Sequence, residues 1–214
     1  VSAHSWDSPQ ENVPIYQLGG FITPIAGSSP AAFVSAWKAA RAIRTKRYYF
    51  GFGYGADMNG LADQSQPTSG NPITYPFRSL DGRVTFSREQ WGQRTFDLNR
   101  DGVANYGMYA DWLQELRVLA GKPILTDMFH GAEAYLETWE RAYGVPATHG
   151  LPARGRIGAR GVGRLRLGAG SRQVLYAAGQ PLNRPFADYL YRVGPGARGL
   201  ASVIFDQRGR VAAV

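Results

Sequence analysis

The chain has 214 residues, carries a formal charge of +8 and contains no cysteine. That length holds one good-sized domain, or a domain with a small appendage. Disulfides and thiolate metal sites are excluded, and any metal here must use His, Asp or Glu. No run of about 18 apolar residues is present, so no membrane-spanning helix is expected. The charge is uneven: from position 141 onward there are twelve Arg, no Lys and two acids, Asp188 and Asp206. That third carries about +10 and residues 1–140 about −2, a split that predicts two modules.

Residues 1–5 read as the end of a strand, and an opening without Met or a basic, apolar leader reads as a chain whose N-terminal part is missing. Gly19–Ile25 reads as a second strand. Ser28-Ser29-Pro30 starts a helix, with Ser at the cap and Pro in the first turn. That helix runs through 31–43 with Phe33, Val34, Trp37 and Ala40 on one face. A third strand is expected over 47–53, ending at Tyr54-Gly55-Ala56-Asp57-Met58-Asn59-Gly60. The alternation predicts parallel strands with crossover helices. Asp57 would then sit at a strand tip, flanked by glycines that permit a sharp turn.

Residues 60–104 form a long, turn-rich connection whose aromatics (Tyr75, Phe77, Phe86, Trp91, Phe96) predict a packed lid. Within it, Asp97-x-Asn99-x-Asp101-Gly102 resembles the opening of a calcium loop. Met108 stands where the chelating Glu belongs, so an Asx turn is the better reading and a nonstandard cation site stays open. Helices are expected over 108–119, stopped by Gly121, and over 131–143, with Tyr135, Leu136, Trp139 and Tyr143 on the apolar side. Residues 145–160 read as a Pro/Gly/Arg tether. It lacks interleaved aromatics, so nucleic-acid binding is the less favoured reading. Beyond it lies a small α+β module: a strand or turn at 162–167, a helix over 172–178 capped by Ser171, strands at 189–193 and 200–205, and a turn at 206–209.

Ser2-Ala3-His4-Ser5, Asn12-Val13-Pro14, the run Gly51–Gly60 and the stretch Tyr109–Leu116 resemble, in order and spacing, the C-terminal part of the membrane (renal) dipeptidase family. The resemblance covers about residues 1–144, with 60–104 as an insertion similar to a bacterial branch. It implies an α/β fold: about strands 6–8 of a TIM-type (β/α)8 barrel, followed at 161–214 by the small α+β module. It implies a zinc-dependent hydrolase of dipeptides or related amides, with two zinc ions. His4 would be a metal ligand and Asp57 the acid/base carboxylate, chemistry that neutral imidazole and a metal-adjacent carboxylate suit. Asn59 is a candidate substrate-binding residue, with turn formation as the plainer reading. The family's remaining ligands, a His-x-Asp pair, a bridging Glu and another His, have no counterpart here, nor does its substrate-binding arginine. The chain alone is therefore expected to be inactive without the missing N-terminal barrel portion. The alternative is a non-catalytic binding protein made of a barrel remnant and a basic module. The last residues also resemble, weakly, small αββ modules of bacterial envelope-assembly lipoproteins. Compartment stays open, as does homo-oligomer formation.

Overall fold

The computed structural model describes residues 2–4, 9–26, 29–55, 65–70, 72–147, 150–151, 157–193 and 199–214, without the side chains of 2–4, 9–11 and 150. The chain divides into two compact units, Val1–Thr138 and Trp139–Val214. Each has its own buried core. Helices and strands are mixed, the sheets are small and mostly antiparallel, and no barrel closes among the described residues. No described helix is long and apolar enough to cross a membrane.

The first unit begins with β1 (Ser2–His4), α1 (Pro9–Gln17), β2 (Phe21–Thr23) and α2 (Pro30–Ile43). β1 and β2 pair in parallel, with His4 opposite Thr23. α2 starts as its sequence predicts: Ser29 Oγ accepts the Ala32 N–H at 3.4 Å and Pro30 occupies the first turn. Phe33, Val34, Trp37 and Ala40 are its buried face.

The strand expected over 47–53 does not form as such. Residues 46–48 turn, and Phe52 gives its N–H to Asp127 O at 2.9 Å rather than to a strand. Pairing begins only at Gly53, which donates to Ile22 O at 3.2 Å, and continues where Gly55 donates to Pro24 O at 3.0 Å. The return bond from Ala26 N–H to Gly55 O is 2.9 Å, and Ile25 and Gly55 form a parallel bridge.

The insertion carries two hairpins, β3 (Phe77–Arg78) with β4 (Thr85–Phe86) and β5 (Gln90–Trp91) with β6 (Arg94–Thr95), then the short helix α3 (Leu98–Asp101). It delivers Ile73, Phe77, Leu98 and Val103 to the first core, while Trp91 is left exposed. Three helices follow: α4 (Tyr109–Ala120), α5 (Lys122–Phe129) and α6 (Gly131–Ala142). Gly121, at φ 76°, ends α4. Pro123 in the first turn starts α5, a helix that sequence reading passes over.

α6 turns the opposite way from its apolar pattern. Gly131, Ala134, Glu137 and Thr138 are buried, whereas Tyr135, Leu136, Trp139 and Tyr143 are exposed. Close approach explains this. A Cβ on Gly51 would meet Ala134 Cβ at 2.8 Å, and one on Gly131 would meet Phe52 O at 3.3 Å. Only the small-residue face of α6 fits against the glycine-rich segment at 51–53.

In the second unit Val145 is buried in the core, β7 (Gly150–Leu151) pairs with a later strand and the exposed β8 (Ile157–Gly158) pairs with the strand after it, where the sequence reads as a tether. β8, β9 (Gly161–Val162) and β10 (Leu165–Arg166) form one small sheet. β13 (Val211–Ala213), β12 (Gly199–Phe205), β11 (Tyr189–Val193) and β7 form another, with only the β11–β7 pair parallel. Helix α7 (Ser171–Ala178) contributes Val174, Leu175 and Ala178 to the second core beside Tyr191 and Val203. Its N-cap is Gly170 rather than Ser171: the Gly170 N–H donates to Gln173 Oε1 at 2.9 Å, so the helix starts one residue early.

Candidate functional site

Three parallel segments, β1, β2 with Pro24–Ala26, and Gly53–Gly55, run side by side. Because they are parallel, their C-terminal ends share one edge. His4 ends the first of them, and Gly55 stands two residues before Asp57 at the end of the third. Two strand spacings, roughly 10 Å, separate the outer segments. The His4 imidazole, Asp57 and Asn59 lie outside the described residues. The structure thus places the backbone of His4 and the approach to Asp57 at the same edge.

Glycine is required on that approach. A Cβ on Gly53 would meet Phe21 Cζ at 2.6 Å and Thr23 Cγ2 at 2.7 Å, so a side chain there would displace the Phe21 ring and Thr23. The residue after it, Tyr54, is partly exposed. Its ring lies 5.9 Å from Tyr109 and 5.4 Å from Trp112, and Tyr106 lies 6.3 Å beyond Tyr109. Beneath them Phe33 contacts both Phe52 and Trp112 at 5.3 and 5.0 Å. The edge therefore has an aromatic wall from α4 and the turn before it. Trp112 is fully buried, and its indole N–H finds no acceptor among the described residues. Sequence reading takes Trp112 as helix core and assigns Tyr106 no role. The signal for the wall, Tyr106, Tyr109 and Trp112 at helical spacing, was present but does not reveal that Tyr54 is its partner.

The buried acids of this unit have structural partners. Asp127 accepts the Trp37 indole N–H at 2.8 Å and lies 3.4 Å from Arg41 Nε, tying α5 to α2. Asp111 accepts the Tyr75 hydroxyl, which in turn accepts the Leu98 N–H at 3.2 Å. Glu115, one turn along α4, is hydrogen-bonded by Thr68. Burial pushes both Asp111 and Glu115 above the usual carboxylate range. These two acids fasten the insertion to α4.

The calcium-like run is likewise occupied by its own chain. Asp97 caps α3 by accepting the Asn99 N–H at 3.0 Å, and Asp101 accepts the Asp97 N–H at 2.8 Å. Asn99 bonds both ways to Ile73, at 3.1 and 2.9 Å. This is the Asx-turn arrangement.

Among the described residues no three His, Cys, Asp or Glu side chains gather as a metal-binding group. His130 ends α5, donates its N–H to Thr126 O at 3.1 Å and packs its ring 5.2 Å from Tyr49. Burial, with Glu133, Glu137 and Asp127 nearby, pushes the Tyr49 hydroxyl up to about 12. The described residues do not by themselves hold a pair of zinc ions. No protein-family model, curated protein or solved structure matches the chain.

Proposed function

We propose that the first unit is the C-terminal part of a dipeptidase-like, zinc-dependent hydrolase barrel, acting on a small peptide-like substrate. One observation carries this reading: three parallel segments with helices between them bring the end of β1, at His4, and the approach to Asp57 to one edge. In a barrel of this type chemistry is performed at the C-terminal ends of the strands. His4 is then the metal ligand, Asp57 the carboxylate that carries a proton between water and the leaving amine, and Asn59 a substrate-side group. The aromatic wall of Tyr54, Tyr106 and Tyr109 suits a site that limits water beside Asp57.

Zinc content and dipeptide hydrolysis test it, measured on the native protein that carries this sequence. Stoichiometric zinc is expected, reduced in His4→Ala. Asp57→Asn is expected to keep the zinc and lose about 10²–10⁴ in hydrolysis. Absence of zinc, with hydrolysis unchanged in both variants, overturns the reading.

A second reading, a non-catalytic binding protein, is favoured by the exposed apolar residues Tyr135 and Leu136 on α6. Light scattering separates it: self-association or complex formation abolished by Leu136→Ser, with no zinc bound, supports binding.

A further inference from the structure

The second unit holds a cleft of about 420 Å³ lined by β10 and the turn after it, by Gln173, Val174 and Ala177 on one face of α7, and by Arg210 before β13. Three arginines line it from two stretches of the chain: Arg164 in the β9–β10 turn with Arg166 in β10, and Arg210. Among the described residues no carboxylate lines it. The nearest acid in sequence, Asp206, accepts the backbone N–H groups of Arg208 and Arg210 at 2.9 and 2.8 Å. Arg166 and Arg210 reach carbonyls, Gly163 O at 2.9 Å and Gly168 O at 3.3 Å. None of the three forms an ion pair among the described residues. Each guanidinium carries five N–H donors, so these contacts use a small part of the set.

A second, independent feature points the same way. Gly170, the N-cap of α7, forms an antiparallel bridge with Arg210. The first turn of α7 contains no acid, and Arg210 Nη1 lies 4.0 Å from the Cβ position of Gly170. A cation thus stands at the end of the helix where the macrodipole is positive, which disfavours it. Like charges gathered in a cleft repel as well. Both costs are relieved by one change, an anion entering the cleft, and guanidinium geometry matches the oxygens of phosphate. The volume suits a small molecule rather than an extended polymer.

We propose that this cleft is a binding site for a phosphate-class oxyanion, a phosphomonoester carried by a small molecule or a lipid headgroup. ³¹P NMR titration of the full chain with inorganic phosphate and with glycerol 3-phosphate, at fixed ionic strength, tests it. Co-sedimentation with phosphatidylcholine vesicles, with and without phosphatidic acid, distinguishes the sources. Saturable binding is expected, weakened about tenfold by Arg164→Ala and by Arg166→Ala. Arg192→Ala removes the same charge from β11, outside the cleft, and should change binding less than about twofold. Arg164→Lys should retain part of the affinity. Circular dichroism confirms that each variant folds.

If only phosphatidic acid vesicles bind, and the cleft variants lose them, the ligand is a headgroup and the site stands. Equal weakening by Arg192→Ala overturns it. So does non-saturating binding, or binding of duplex DNA alone that every Arg→Ala variant weakens alike.

Discussion

Gly53 shows how much a single missing side chain determines. Its Cβ position lies against the side chains of Phe21 and Thr23, so Gly53→Ala must displace those two side chains of β2. The expected cost is about 1–3 kcal/mol, read from urea unfolding. Asp111 and Glu115 act through charge. Their carboxyls titrate above the ordinary range in the folded chain, so the unfolded chain releases its protons first as pH rises. Their contribution to stability is therefore fully present below the ordinary carboxylate range and is lost as pH rises through the raised values. Thermal unfolding from about pH 4 to pH 7 should show this decline, and Asp111→Asn with Glu115→Gln should flatten it.

At the scale of elements, the insertion is held by few but specific bonds. Tyr75→Phe removes the hydroxyl that joins Asp111 to the Leu98 N–H, leaving a buried carboxylate without that donor. A loss of about 1–3 kcal/mol is expected, with faster amide exchange over residues 72–104. α7 depends on its unusual cap. Gln173→Ala deletes the acceptor of the Gly170 N–H and should cost about 1 kcal/mol, visible as reduced helical protection at Ser171–Val174. A helix start and a helix stop were legible in sequence at Ser29-Pro30 and Gly121, because they rest on one residue's local chemistry. The orientation of α6 was not. Its apolar stripe predicts a buried Tyr135–Trp139 face, but the glycines at 51 and 53 accept only its small-residue face.

For the whole molecule, two cores mean that damage should remain local. Leu116 is fully buried in the first core and Val203 in the second. Leu116→Ala should cost about 2–5 kcal/mol. Hydrogen exchange is expected to rise within Val1–Thr138 for Leu116→Ala and within Trp139–Val214 for Val203→Ala. The charge asymmetry along the sequence already indicated two modules. Its break at position 141 lies close to the division at Trp139; only the reading of 145–160 as a tether put the second module later, because Val145 and Gly150–Leu151 look like tether composition yet are packed or paired.

The sequence by itself determined the local features: the α2 start, the stop at Gly121, strands at 189–193 and 200–205, and the Asx turn at Asp97. Each depends on neighbours a few residues away. Tertiary structure alone decided which residues meet across long separations: Tyr54 with Tyr109 and Trp112, Tyr75 with Asp111, and Arg164, Arg166 and Arg210 in one cleft. Such meetings are set by packing and by the direction in which strands pair. No local pattern encodes those: the pairing that brings the end of β1 at His4 and Gly55 to one edge is visible only in the fold.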